Sequence, residues 1–148
     1  MNRLLVILLI MLISFSAGCV GNEDEGAAQV IDRTVIADPH IEVIFFYGNM
    51  ECYSCRTVGF YAEDTVNAYF ADELESGDLV FMHVNYDLPK NKELLQRYGA
   101  SYSSLWIGTY TEEGFTAEQN LDVWYLMNDK EGYMAYFSEV IDKKLEDL

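Results

Sequence analysis

The chain has 148 residues, 51% of them hydrophobic, so it is long enough for one domain with a packed core and too short for two. A formal net charge of −16 gives a surface that repels nucleic acid, which excludes nucleic-acid binding from the expected functions. Three cysteines are too few for a fold held together by disulfides.

The N-terminus has the pattern of an export signal. Residues 4–13 are uninterruptedly hydrophobic, too short for the roughly 20 residues of a membrane-spanning helix but typical of a signal peptide. Ala17 and Gly18 stand directly before Cys19, as in a lipoprotein signal. We therefore predict a leader over residues 1–19 and a lipid on Cys19, which would hold the domain on the outer face of the cytoplasmic membrane. An uncleaved signal anchor and a plain cleaved signal are the alternatives.

The chain after the leader is predicted to be a short tether followed by one domain. Residues 20–29 are acidic and lack hydrophobic periodicity, which indicates a flexible linker. The domain is predicted over residues 30–148, with a first strand between Val30 and Ile36. The near-continuous hydrophobic run Ile41–Tyr47 is typical of a central strand that is covered on both faces.

The rest of the chain alternates helical and strand periodicities. These predict a long helix over Tyr53–Leu74, a buried strand over Leu79–Tyr86 and a short helix over Asn91–Tyr98. A hairpin follows, made of Ser103–Tyr110 and a strand around Phe115. The C-terminal segment Leu121–Leu148 is predicted to be helical, in two pieces with a break near Asn128-Asp129. This order predicts an α/β fold in which a mixed central sheet lies between layers of helices.

Cys52 and Cys55 lie where the predicted central strand gives way to the long helix. Two intervening residues place both sulfurs on one turn within bonding distance. The helix N-terminus offers unpaired N–H groups and partial positive charge, which favour a thiolate on Cys52, whereas the acidic surface opposes it. Because open α/β sheets place their sites at the carboxyl ends of central strands, we predict a redox-active dithiol here.

Three neighbours of the dithiol are candidates for tuning it. Arg56 offers positive charge to a thiolate, although an exposed helix surface is the simpler role. Ser54 can donate a hydrogen bond to a sulfur, which would stabilise the reduced form and raise the reduction potential. Glu51 places negative charge beside Cys52, which either opposes thiolate formation or supplies a proton acceptor.

The element order and the dithiol resemble the thioredoxin superfamily over roughly residues 30–148, which implies a thioredoxin-like three-layer sandwich. The resemblance implies that Cys52 is the exposed nucleophile and Cys55 the resolving thiol. More narrowly, Phe45–Cys55 and Val84–Asp87 look like a small thioredoxin-like family described as a subunit of a nitrophenyl-compound nitroreductase. That description implies a partner reductase subunit, since no flavin or nicotinamide motif is present in the chain.

Two features depart from ordinary thioredoxins. The stretch Ser101–Trp106, which matches their cis-proline loop, has no proline. A cis bond without proline costs roughly 2.5–4 kcal/mol, so we expect this loop to be trans. The position six before Cys52, where thioredoxins bury an acidic residue, is Phe46, which leaves Glu51 as the nearby carboxylate.

These observations predict a membrane-tethered thiol–disulfide oxidoreductase or electron-transfer protein. Its partner would be a protein or small-molecule disulfide or dithiol, and no cofactor or metal is expected. One alternative is a non-enzymatic binding module with a structural disulfide, and another is a thiol-based metal chaperone. A zinc site needs four ligands, and a second cysteine pair is absent. His83 lies on a strand of core type, where we expect a satisfied buried histidine rather than a ligand.

Overall fold

A four-stranded mixed sheet organises residues 38–148, the part of the chain that the computed structural model describes. The strands are β1 (His40–Tyr47), β2 (Leu79–Asn85), β3 (Ser104–Thr111) and β4 (Gly114–Asn120). Their order in the sheet is β2-β1-β3-β4, with β1 parallel to β2 and antiparallel to β3, and β3 antiparallel to β4. The leader, the tether and the strand predicted between Val30 and Ile36 lie outside the described residues.

Helices form a layer on each face of this sheet. The helices are α1 (Tyr53–Tyr69), α2 (Ala71–Ser76), α3 (Lys92–Tyr98) and α4 (Lys130–Glu146), with short 3₁₀ segments at Pro89–Asn91 and Asp122–Tyr125. Hydrophobic side chains of α1 and α4 pack on one face and those of α3 on the other, which confirms the predicted α/β sandwich with a mixed central sheet.

Strand β1 is buried on both faces, as its hydrophobic run predicts. Ile41, Val43 and Phe45 point into the core formed with α1 and α4. Ile44 and Phe46 point into the smaller core under α3. None of the five is more than 1% exposed, so the end of this strand is a rigid support for the segment that follows it.

The single helix predicted over Tyr53–Leu74 is wrong, because the chain breaks into α1 and α2 at Phe70. That residue leaves the helical region (φ −128°, ψ 37°), and its ring is almost completely buried in the core. Tyr69, a hydrophobic residue at the end of α1, is 57% exposed because it lies one position round the helix from the buried Phe70. Helix α2 ends at Gly77, with the positive φ of 89° that glycine adopts without steric cost.

The C-terminal segment is broken into two pieces, as predicted. The 3₁₀ segment ends at Tyr125, and α4 starts after Asp129, whose side chain accepts a hydrogen bond from the N–H of Gly132 (3.0 Å). The core-facing residues of α4 include Tyr133, which is fully buried and donates a hydrogen bond to the carbonyl of Val58 in α1 (2.9 Å). This contact ties the last helix to the one that begins at the dithiol.

A polar cluster crosses the smaller core at the end of the sheet away from the dithiol. The hydroxyl groups of Tyr98 and Tyr110 both donate to Oε2 of Glu42, at 2.7 and 3.2 Å. Gly108 leaves the space for Tyr98, since a Cβ there would collide with the tyrosine hydroxyl. Burial, followed by the Glu42 carboxylate, raises the pKa of Tyr98 above its usual value.

Tyr98→Phe is expected to destabilise the fold by about 1–3 kcal/mol, because the partly buried Glu42 carboxylate loses its shortest hydrogen bond. The loss is expected to shrink above about pH 10. There an unfolded tyrosine releases its proton while folded Tyr98, whose pKa is raised, retains it, so the wild-type advantage declines. Urea unfolding at pH 7 and above pH 10 measures both effects. Tyr125→Phe, at an 84% exposed site, is the control, and equal stability of the two variants would contradict the prediction.

Candidate functional site

Cys52 and Cys55 form a disulfide at the start of α1, just beyond the carboxyl end of β1. Their Cα atoms are 5.2 Å apart. Cys52 is exposed, whereas Cys55 is partly buried and packs against the larger core together with Tyr47. The two cysteines therefore differ in exposure, and Cys52 is the one that a reaction partner would reach first.

One backbone N–H of α1 donates a hydrogen bond to the sulfur of Cys52. Cys52 is the N-cap residue of this 17-residue helix, and its Sγ accepts a hydrogen bond from the N–H of Cys55 (3.1 Å). No acidic side chain lies in the first turn of the helix. A sulfur that receives a backbone N–H at a helix N-terminus is favoured as a thiolate over a thiol.

The segment between β1 and Cys52 is fastened to the end of β2. The N–H of Asn49 donates to Oδ2 of Asp87 (2.7 Å), and Nδ2 of Asn85 donates to Oδ1 of Asn49 (2.9 Å). The N–H of Tyr86 also donates to the carbonyl of Tyr47 (2.8 Å). The sequence did not lead us to predict these supporting residues as part of the site. The turn-forming residues at 48–49 and 85–87 were the signal that could have identified them.

The three predicted tuning residues occupy different positions around the disulfide. Ser54 and Glu51 are partly buried, and Arg56 is exposed. The hydrogen bond to Sγ of Cys52 comes from the N–H of Cys55 and not from the Ser54 hydroxyl, so the proposed effect of Ser54 on the reduced form stays a prediction. Among residues 38–148, Arg56 takes part in no ion pair.

A groove of about 290 Å³, here called the α1–β2 groove, lies beside the disulfide between the first helix and the outer strand. Glu51 and Arg56, each next in sequence to one cysteine, line its wall. Nε2 of His83 lies 3.2 Å from Oε2 of Glu63 in the same groove. The full lining is aromatic and charged: Phe45, Tyr47, Glu51, Arg56, Phe60, Glu63 and His83.

The prediction that His83 is a buried core histidine is wrong. Its side chain keeps 32% of its surface exposed, because β2 is the outer strand of the described sheet on this side. The imidazole presents its faces and edges to Phe45, Tyr47 and Phe81, with ring centroids 5.1–6.3 Å apart. His83 therefore packs against aromatic rings while its ionisable imidazole stays accessible to solvent.

The structure also shows where Phe46 and the loop Ser101–Trp106 lie. Phe46 points away from α1 into the smaller core, while Phe45 lies beneath α1 and pairs in register with His83. Neither phenylalanine supplies a carboxylate. The peptide bonds of Ser101–Trp106 are trans, as expected, and Tyr102 in that loop is 55% exposed.

Within 38–148 no three histidine, cysteine or acidic side chains lie close enough together to hold a metal ion. In the same range no helix is sufficiently long and apolar to cross a membrane. Cys19, the predicted lipidation site, lies outside this range.

No protein-family model matches the chain, and no match is found among curated proteins. The features of the chain that indicate a function are therefore the Cys52–Cys55 disulfide, its helix terminus and the α1–β2 groove.

Proposed function

We propose that the protein is a membrane-tethered, extracytoplasmic thiol–disulfide oxidoreductase that works through Cys52 and Cys55. The observation that carries this proposal is the position of the disulfide: an exposed cysteine at a helix N-terminus, at the carboxyl end of a central strand. Such a position suits a reactive sulfur, because the helix terminus stabilises a thiolate and the rigid strand fixes its place.

The proposed reaction has two steps. In the reduced protein, the Cys52 thiolate attacks one sulfur of a partner disulfide, the partner S–S bond breaks, and one partner thiolate leaves. The Cys55 thiol then loses its proton and attacks Sγ of Cys52, which expels the second partner thiolate and leaves Cys52–Cys55 oxidised. Two electrons pass from the protein dithiol to the partner. A dithiol or a reductase subunit must return them, and the same steps in reverse make the protein an oxidant.

The membrane location is proposed from the N-terminal sequence. The hydrophobic run of residues 4–13, followed by Ala17-Gly18-Cys19, supports export and lipidation of Cys19. The resemblance to a nitroreductase subunit supports a partner reductase as one electron source. A disulfide-exchange role would suit this location, because oxidised cysteines persist outside the cytoplasm.

The reduction potential of the Cys52–Cys55 pair is expected to lie between roughly −100 and −270 mV, the range of working exchange proteins. It is measured on the full chain in detergent by equilibration with glutathione or dithiothreitol buffers. A Cys52→Ser/Cys55→Ser double variant corrects for the third cysteine, Cys19. A potential below about −300 mV would overturn the proposal and indicate a structural disulfide in a binding module. The absence of a carboxylate at Phe45 and Phe46 is the observation that favours this second candidate function.

A further inference from the structure

The α1–β2 groove adjoins the disulfide but has no part in the exchange steps given above. Its lining residues Glu51 and Arg56 are the direct sequence neighbours of Cys52 and Cys55. A molecule that lies in the groove therefore contacts residues at both ends of the dithiol motif. This position makes the groove a candidate site for part of the molecule that reacts with the disulfide.

The size of the groove suits a small molecule rather than a protein segment. Its volume of about 290 Å³ is just below the range of about 300–1,000 Å³ that is usual for small-molecule sites. Three aromatic rings form its apolar wall: Phe45 and Tyr47 from β1, and the 57% exposed Phe60 from α1. A compact ligand with a short aliphatic chain can pack against such a wall.

The charges in the groove are mixed, which distinguishes it from the strongly acidic chain as a whole. Two carboxylates, one guanidinium and one imidazole line it, and Glu63 is already paired with His83. Glu51 and Arg56 remain without an ion pair among the described residues. An arginine binds a carboxylate with two parallel hydrogen bonds, and a glutamate binds an ammonium group. A ligand that carries both groups satisfies both side chains, whereas a purely anionic or purely cationic ligand is repelled by one of them.

We propose that the groove binds the amino-acid end of a low-molecular-weight zwitterionic disulfide, with its carboxylate on Arg56 and its ammonium on Glu51. This inference rests on the proposed exchange function and names its substrate class. The Cys52 thiolate attacks one sulfur of the bound disulfide and expels one amino-acid thiolate. Cys55 then closes the protein disulfide and expels the second. Two electrons and two protons pass from the dithiol to the substrate, and an external dithiol regenerates the protein.

Four small disulfides that differ mainly in charge test this assignment. They are cystine (zwitterionic), cystamine (cationic), dithiodiglycolate (anionic) and bis(2-hydroxyethyl) disulfide (uncharged). The reduced full chain, freed of reductant, is mixed with each disulfide, and the second-order rate constant for oxidation of the chain is measured. This rate constant is divided by the one for oxidation of free dithiothreitol by the same disulfide. The normalised rate constant is expected to be highest for cystine, by about tenfold over the uncharged compound, which corresponds to about 1.4 kcal/mol.

Variants of the two charged side chains separate binding from a general change in thiol reactivity. Arg56→Gln is expected to lower the rate constant for cystine about tenfold relative to the uncharged disulfide. Glu51→Gln is expected to lower the rate constants for cystine and cystamine relative to that for the uncharged disulfide. The matched controls are Asp64→Asn, on α1 but paired with Lys130, and Lys90→Gln, and both should keep the cystine preference.

The outcomes distinguish this inference from the function on which it rests. If all four disulfides react and neither groove variant changes the cystine ratio, the zwitterion site is overturned and the exchange function stands. If no disulfide oxidises the reduced chain faster than it oxidises free dithiothreitol, the exchange function itself fails.

Discussion

Replacing Cys52 by serine is expected to abolish disulfide exchange, whereas Cys55→Ser is expected to preserve the first attack and accumulate a mixed disulfide. The asymmetry follows from the different surroundings of the two sulfurs. Cys52 is exposed and its Sγ accepts the N–H of Cys55, while Cys55 is partly buried against the core. Without Cys52 no thiolate is positioned for attack, and without Cys55 no thiol can release the captured partner.

The experiment uses the reduced full chain with a disulfide-bonded reporter protein. Non-reducing gels and intact-mass measurement should reveal the covalent adduct of Cys55→Ser at one partner per chain. Cys19→Ser is the matched control for loss of the third cysteine, which has no free thiol where the proposed lipid is attached, and it is expected to exchange at the wild-type rate in detergent. Equal exchange activity in the Cys52→Ser protein would remove the proposed mechanism, since the remaining thiols would then account for the reaction.

The location of the dithiol was predictable because its signals are local. The run Ile41–Tyr47 is hydrophobic at every core-facing position on both faces, and the glycines at 77 and 99 end helices with positive φ. Cys52 caps a helix whose hydrophobic periodicity starts with the next turn. Each of these signals depends on neighbours a few residues away, so the sequence alone contains enough information to identify them.

The α1–β2 groove was not predictable, because it depends on strand register. His83 meets Glu63 only because β2 pairs with β1 in the register that places His83 beside Phe45. A shift of one residue would turn His83 to the other face of the sheet. The break at Phe70 had the same kind of cause, since a buried contact with the core overrode the helical preference of the surrounding sequence.

Gly59 decides how closely α1 approaches the sheet beneath the dithiol. It lies one turn after Cys55 on the same face of the helix, and a Cβ added there would stand only 2.6 Å from Cδ1 of Phe45. Glycine inside a helix costs about 1 kcal/mol relative to alanine. Gly59 therefore lowers the helix propensity of α1 but allows the helix to pack closely on Phe45.

Gly59→Leu is expected to lower the free energy of unfolding by about 3 kcal/mol or more, although leucine is the better helix former. Gly59→Ala is expected to cost about 1 kcal/mol, because an overpacking cost of about 1–3 kcal/mol exceeds the gain in propensity. Urea unfolding measures both, with Ala68→Leu on the exposed face of α1 as the matched control. Phe45→Leu frees the space that the new methyl group of Gly59→Ala needs. In a double-mutant cycle we therefore expect a favourable coupling of about 0.5–3 kcal/mol, so that Phe45→Leu costs less in the Gly59→Ala protein than in the wild type. Greater stability of Gly59→Leu than of the wild type would show that α1 can move away from Phe45 without cost, and the fixed position of Cys52 and Cys55 would then need another explanation.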